Sequence, residues 1–132
     1  MITLDTSAVV ALLDARDQDH DRVREALAAD AGPYLLPVGI LAEITYFIER
    51  RIGQKVLDAF LASLEIGDLA LDCGEQDLAR IRWLVNRYAD LPLGFADAAV
   101  TVCAERHGGR VLTLDVRHFG VVAREVDLIL LP

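Results

Sequence analysis

Four short aliphatic runs are separated by stretches of helical length: ITL at residues 2–4, YLLPV at 34–38, VLTL at 111–114 and VDLILL at 126–131. Runs this short and this apolar suit strands buried on both faces, as in a parallel sheet. The intervening stretches carry apolar residues at helical spacing. They predict helices over Ala8–Asp14, Asp21–Ala29, the run ILAEITYFIERR that Gly53 stops, Gln54–Leu64, Glu75–Tyr88 and Phe95–Arg106. Leu69–Leu71 reads as an edge strand, and Arg117–Ala123 as a short turn or helical piece. The alternation predicts an α/β chain whose central, mostly parallel sheet has four or five short strands and is covered by helices on both faces. No linker, repeat or low-complexity stretch divides it, and 132 residues is the usual length of one domain, here 1–132.

Several function classes are disfavoured by composition. The formal net charge is −8, and no basic run is longer than Arg50-Arg51. A general nucleic-acid binder carries a basic face, so contact with nucleic acid must here be local, aided by cations that neutralise an acidic pocket. Of the 13 basic residues only Lys55 is a lysine. Apolar runs such as AVVALL and LILL are far too short to span a bilayer, and no membrane association is expected. The opening residues show no basic leader, so no export signal is expected. Cys73 and Cys103 form no close motif and read as buried thiols in a reducing compartment, the cytoplasm.

The chemistry is concentrated in four acids, each in apolar surroundings. Asp5 ends the first strand run, Asp115 ends the echoing VLTLD, Glu43 interrupts an apolar helical stripe, and Asp97 lies within GFADAAVTVCA. Each has an ordinary structural role open to it. Asp5, with Thr6 and Ser7, can cap the following helix, and Asp115 can cap the segment after it. Glu43 can pair with Arg50 or Arg51, and Asp97 favours the first turn of a helix. Jointly, four clustered carboxylates repel one another unless cations share the pocket. Oxygen donors of this kind suit Mg²⁺ or Mn²⁺, and phosphodiester hydrolysis is the reaction such a site fits best. Asp5 and Asp115 follow strands, at the end of an α/β sheet where ligands collect.

The pieces LDTSAVVALL, PVGILAEITYFI and LPLGFADAAVTVCAERHGGRVLTLDVRHF, in this order and spacing, are the basis for a resemblance over nearly the whole chain. The sequence resembles a PIN-domain ribonuclease, and within that family the VapC toxins of VapBC type II toxin–antitoxin systems. The resemblance implies a PIN-like three-layer α/β/α fold, a Mg²⁺- or Mn²⁺-dependent endoribonuclease site, a homodimer and inhibition by a VapB-like antitoxin. Carried over by position, Asp5, Glu43, Asp97 and Asp115 are the catalytic acids. Asp5 and Asp97 are the principal metal ligands, while Glu43 and Asp115 complete the pocket, orient water and assist a second metal. Thr6, Ser7 and Thr113 are candidates to support these ligands. Arg117 and His118 are candidates for contact with RNA. His118 stands where many relatives place another acid, so this segment supplies no fifth carboxylate. Trp83 and Tyr88 read as core or subunit-interface residues, and His20 and His107 as superficial.

Two alternatives use the same features. Phosphoryl transfer through an aspartyl intermediate, or a phosphorylation-receiver domain, would want a late lysine near the acids, and none follows Lys55. A PIN-fold interaction module that binds a partner protein with weak or no nuclease activity would not need all four acids.

Overall fold

The computed structural model describes residues Met1–Pro132. Strands β1 (Ile2–Leu4), β2 (Tyr34–Pro37), β3 (Leu69–Asp72), β4 (Arg110–Leu112) and β5 (Ile129–Leu131) form one sheet in the order β3-β2-β1-β4-β5. All four neighbouring pairs are parallel, so every connection is a crossover. The helices are α1 (Thr6–Leu13), α2 (His20–Ala28), α3 (Leu41–Arg51), α4 (Gln54–Ile66), α5 (Leu78–Arg87), α6 (Phe95–Arg106) and α7 (Val116–Val122). From β1 the chain steps outward to β2 and β3, then crosses back to β4 and β5. Right-handed crossovers in opposite directions place α1–α4 on one face and α5–α7 on the other.

The core contains 28 buried apolar residues, including all of Ile2, Leu4, Leu36, Val111 and Leu112 from the inner strands. Helix α6 accounts for much of it, since every residue from Ala98 to Ala104 is buried. Its small side chains let it lie close to the sheet. Gly39, in the 3-10 turn Val38–Ile40, serves the same approach: a Cβ there would stand 2.9 Å from Ala99 Cβ and 3.0 Å from Phe95 Cε1. No helix is long and apolar enough to cross a membrane.

Several expectations need correction. Helix α1 begins at Thr6, directly after Asp5, and neither Thr6 nor Ser7 caps it through a side chain. Gly53 does stop α3, which ends at Arg51 with Ile52 as its C-cap; Gly53, at φ 130°, returns its N–H to the Ile48 carbonyl at 2.9 Å and is also the N-cap of α4. Helix α5 begins at Leu78, because the Asp77 N–H turns back to the Gly74 carbonyl at 3.0 Å. Strand β4 ends at Leu112, after which Thr113 and Leu114 bond outside the β1 ladder. Cys103 is buried, but Cys73 is exposed. Tyr88 is core, whereas Trp83 is half exposed with Arg80 stacked on its ring. His20 and His107 are partly buried: His20 Nδ1 lies 2.9 Å from the Ala11 carbonyl, and His107 meets Asp72.

Candidate active site

The strand order reverses between β1 and β4, and ligands of open α/β sheets bind beyond the carboxyl ends of strands at such a point. Asp5 follows β1, and Asp115 lies three residues beyond the end of β4. The two strand ends are stitched together, because the Asp5 N–H donates to the Leu112 carbonyl at 3.0 Å.

Asp5 is 5% exposed and occupies the N-cap position of α1, yet its side chain caps nothing. Instead Oδ2 accepts the Ser7 hydroxyl at 2.7 Å and the Thr113 hydroxyl at 2.8 Å. Those hydroxyls are themselves anchored. Ser7 Oγ accepts the Leu114 N–H at 2.9 Å, and Thr113 Oγ1 accepts the Asp115 N–H at 2.9 Å. This lattice holds one edge of the carboxylate and leaves Oδ1 without a side-chain partner. Burial pushes the Asp5 carboxyl above its ordinary pKa, against the lowering effect of the Ser7 and Thr113 hydroxyls. Thr6 stays outside the lattice; its Oγ1 is buried with no hydrogen-bond partner.

Asp97 lies in the first turn of α6, which points its amino end at this region. Burial, then repulsion from Asp5, pushes its carboxyl up to about 6; His118 opposes the shift, while Asp115 and Glu43 add to it. Asp5, Asp115 and Glu43 thus all lie within electrostatic reach of Asp97. Glu43 is exposed in the first turn of α3 and pairs with neither arginine considered for it. Arg50 and Arg51 lie over the rings of Tyr46 and Phe47 instead, at 5.7 and 4.9 Å.

Asp115 caps α7, its Oδ1 accepting the His118 N–H at 3.1 Å, while Oδ2 lies 2.8 Å from His118 Nδ1. Donor atoms of Asp97, Asp115 and His118 all lie within 4.8 Å of one another. Arg117, one residue away, is exposed. The structure therefore brings together Asp5, Ser7, Asp97, Thr113, Asp115 and His118, with Glu43 within electrostatic range. An oxygen-rich pocket in which neighbouring acids push the Asp97 carboxyl up is the environment a hard divalent cation relieves.

A second cluster escaped sequence reasoning. Donor atoms of Asp72, Cys103 and His107 also lie within 4.8 Å of one another. Here the aspartate is already engaged, because Arg106 binds Asp72 through both terminal nitrogens and Asp77 through Nε and Nη2. This cluster ties β3 and the start of α5 to the end of α6. Only the arginine in the last turn of α6 hinted at it, and its partners lie 29 and 34 residues away.

The PIN domain family model matches residues 2–125. Ribonuclease VapC26 of Mycobacterium tuberculosis is 36% identical over 121 residues, covering 90% of each chain. The fold is similar to that of Mycobacterium tuberculosis VapC20, described as a sarcin-ricin loop cleaving toxin. That match has a TM-score of 0.74 at 21% identity and covers 91% of this chain and 95% of that one. It is also similar to Neisseria gonorrhoeae FitAcB, with a TM-score of 0.66 at 21% identity over 100% of this chain and 97% of that one. From the near-complete family match and the extent of identity to VapC26, this chain belongs to the PIN-domain family, among its VapC-type proteins.

Proposed function

We propose that this chain is a divalent-metal-dependent endoribonuclease and the toxin of a type II toxin–antitoxin pair, acting in the cytoplasm as a single PIN domain over residues 1–132. The observation that carries the chemistry is the convergence of Asp5, Asp97 and Asp115 beyond the ends of β1 and β4, with the Asp97 carboxyl raised to about 6. The relative named a ribonuclease supplies the reaction class.

The donor set fits Mg²⁺ or Mn²⁺: it is dominated by carboxylate oxygens, and their mutual repulsion is what a cation offsets. Asp5 and Asp97 are the principal ligands, and Glu43 and Asp115 complete the pocket. Such a cation stabilises charge on a phosphoryl group and makes water a stronger acid. The chain's own residues set the stage for this. Ser7 and Thr113 hold Asp5 by one oxygen, α6 presents Asp97 from the opposite element, and Asp115 orients both α7 and the His118 ring. Exposed Arg117, two residues from Asp115, would supply a contact to an RNA phosphate. With a net charge of −8, RNA affinity comes from such local contacts rather than from a broad basic face.

The partner is a small antitoxin of the VapB kind, whose basic side chains would neutralise the acidic pocket, and the toxin acts as a homodimer. The test is brief induction in a bacterial host, with and without the partner, followed by mapping of RNA ends across the transcriptome. Wild type should create new ends at a restricted set of sites and arrest growth. Asp5→Asn, or co-expression of the partner, should abolish both effects. New ends that persist with Asp5→Asn would reject the site, and partner binding without any cleavage would favour an interaction module.

A further inference from the structure

Asp115 spends both of its oxygens on one residue. Oδ1 accepts the backbone N–H of His118, which satisfies the helix cap, yet Oδ2 also lies 2.8 Å from Nδ1 of the same histidine. Capping alone needs only the first contact. The second fixes the imidazole, and a donor atom of that ring lies within 4.8 Å of carboxylate oxygens of both Asp97 and Asp115. His118 is partly buried beside these acids, in the pocket proposed to take the cation.

A neutral imidazole has one N–H and one lone pair. When Nδ1–H points at a carboxylate, the lone pair is confined to Nε2 and made more basic, the arrangement in which metal-binding histidines are commonly held. Donors sharing an ion with bonds of about 2.1 Å stand up to roughly 4.2 Å apart, so an ion shared by Asp97 and the ring requires Nε2 to turn toward Asp97 while Nδ1 stays on Asp115. We propose that His118 is a nitrogen ligand of the divalent cation in this pocket, with Asp115 acting mainly as the carboxylate that orients it, and that this nitrogen shifts the pocket's preference from Mg²⁺ towards Mn²⁺. The inference rests on the pocket being a divalent-metal site. Mg²⁺ favours oxygen donors and retained water, whereas imidazole raises the relative affinity for first-row transition ions. Mn²⁺ is the weakest binder of that series, so a preference for it over Mg²⁺ is a demanding test.

The experiment is Mn²⁺ titration of the purified full-length protein, with electron spin-echo envelope modulation used to detect directly bound nitrogen. Wild type should show the ¹⁴N modulation of a coordinated imidazole, and protein made with ¹⁵N-histidine should lose it without any change of sequence. His118→Asp should still bind Mn²⁺ but without that modulation, and competition should show its Mn²⁺-over-Mg²⁺ affinity ratio reduced by about tenfold or more. Asp97→Asn should lose most of the binding. Bound Mn²⁺ without histidine modulation, or modulation that survives His118→Asp, overturns the nitrogen ligand while leaving the metal pocket standing. Equal Mn²⁺ binding by wild type and Asp97→Asn overturns the pocket, and this inference with it.

Discussion

Asp97 links stability to function at the scale of a single residue. Its carboxyl is raised from 3.8 to about 6, first by burial and then by Asp5. Between these values the folded protein binds more protons than the unfolded chain. The stability gained from the protonated group is thus complete below about 3.8 and lost as pH rises through about 6. In chelator at pH 7.5, Asp97→Asn should raise the melting temperature, by roughly 4 °C for each kcal/mol of repulsion and desolvation relieved. That gain should vanish near pH 4. Thermal melts of both proteins at the two pH values check the sign. Thr113→Val tests the lattice around Asp5. It removes the hydroxyl that donates to Asp5 and accepts from the Asp115 N–H, so divalent-metal affinity should fall about tenfold and stability by roughly 1–3 kcal/mol. Calorimetric titration and urea denaturation measure the two effects separately. The acids were legible in the sequence because a carboxylate in an apolar run is costly without a purpose. Ser7 and Thr113 were reachable as supports only through the resemblance, and their meeting on one Asp5 oxygen was not legible, since Thr113 lies 108 positions from Asp5.

At the scale of elements, periodicity located α1–α6 and placed α6 at its observed bounds, Phe95–Arg106, while the segment of α7 read equally as a turn or a helical piece. The ends of other elements depended on hydrogen bonds that composition does not encode. Glu75–Asp77 continue the helical pattern of α5 in sequence, yet the Asp77 N–H closes a turn onto Gly74. Thr113 and Leu114 continue the aliphatic pattern of β4, yet Thr113 is drawn to Asp5 and the Leu114 N–H to Ser7. In both places a side-chain or turn contact overrides the apolar pattern. Arg106 shows how elements away from the site hold α6. Its guanidinium spans Asp72 at the end of β3 and the 8%-exposed Asp77 ahead of α5. Arg106→Leu leaves both carboxylates without their main partner and should cost about 1–3 kcal/mol in urea denaturation. Divalent-metal affinity should change little, because Asp97 sits at the opposite end of α6. A loss of metal binding as large as that of Asp97→Asn would show that the latch also sets the pocket.

At the scale of the whole molecule, the order β3-β2-β1-β4-β5 turns a linear sequence into a site. The short apolar runs implied a parallel sheet, and that sheet is fully parallel. They did not reveal that β1 would lie at the centre with β4 beside it, a consequence of the chain reversing direction after β3. This reversal sets Asp5 beside the Asp115 loop, and α6 delivers Asp97 to both. The central claim is that this convergence hydrolyses RNA with a divalent cation, and the most direct measurement is cleavage of defined single-stranded and hairpin RNAs by purified protein. Wild type with Mg²⁺ or Mn²⁺ should cleave internally, and chelator should stop it. Asp97→Asn, confirmed as folded by its melting curve, should lose at least about a hundredfold in rate. Equal cleavage by folded Asp97→Asn, or undiminished cleavage in chelator, would contradict the account.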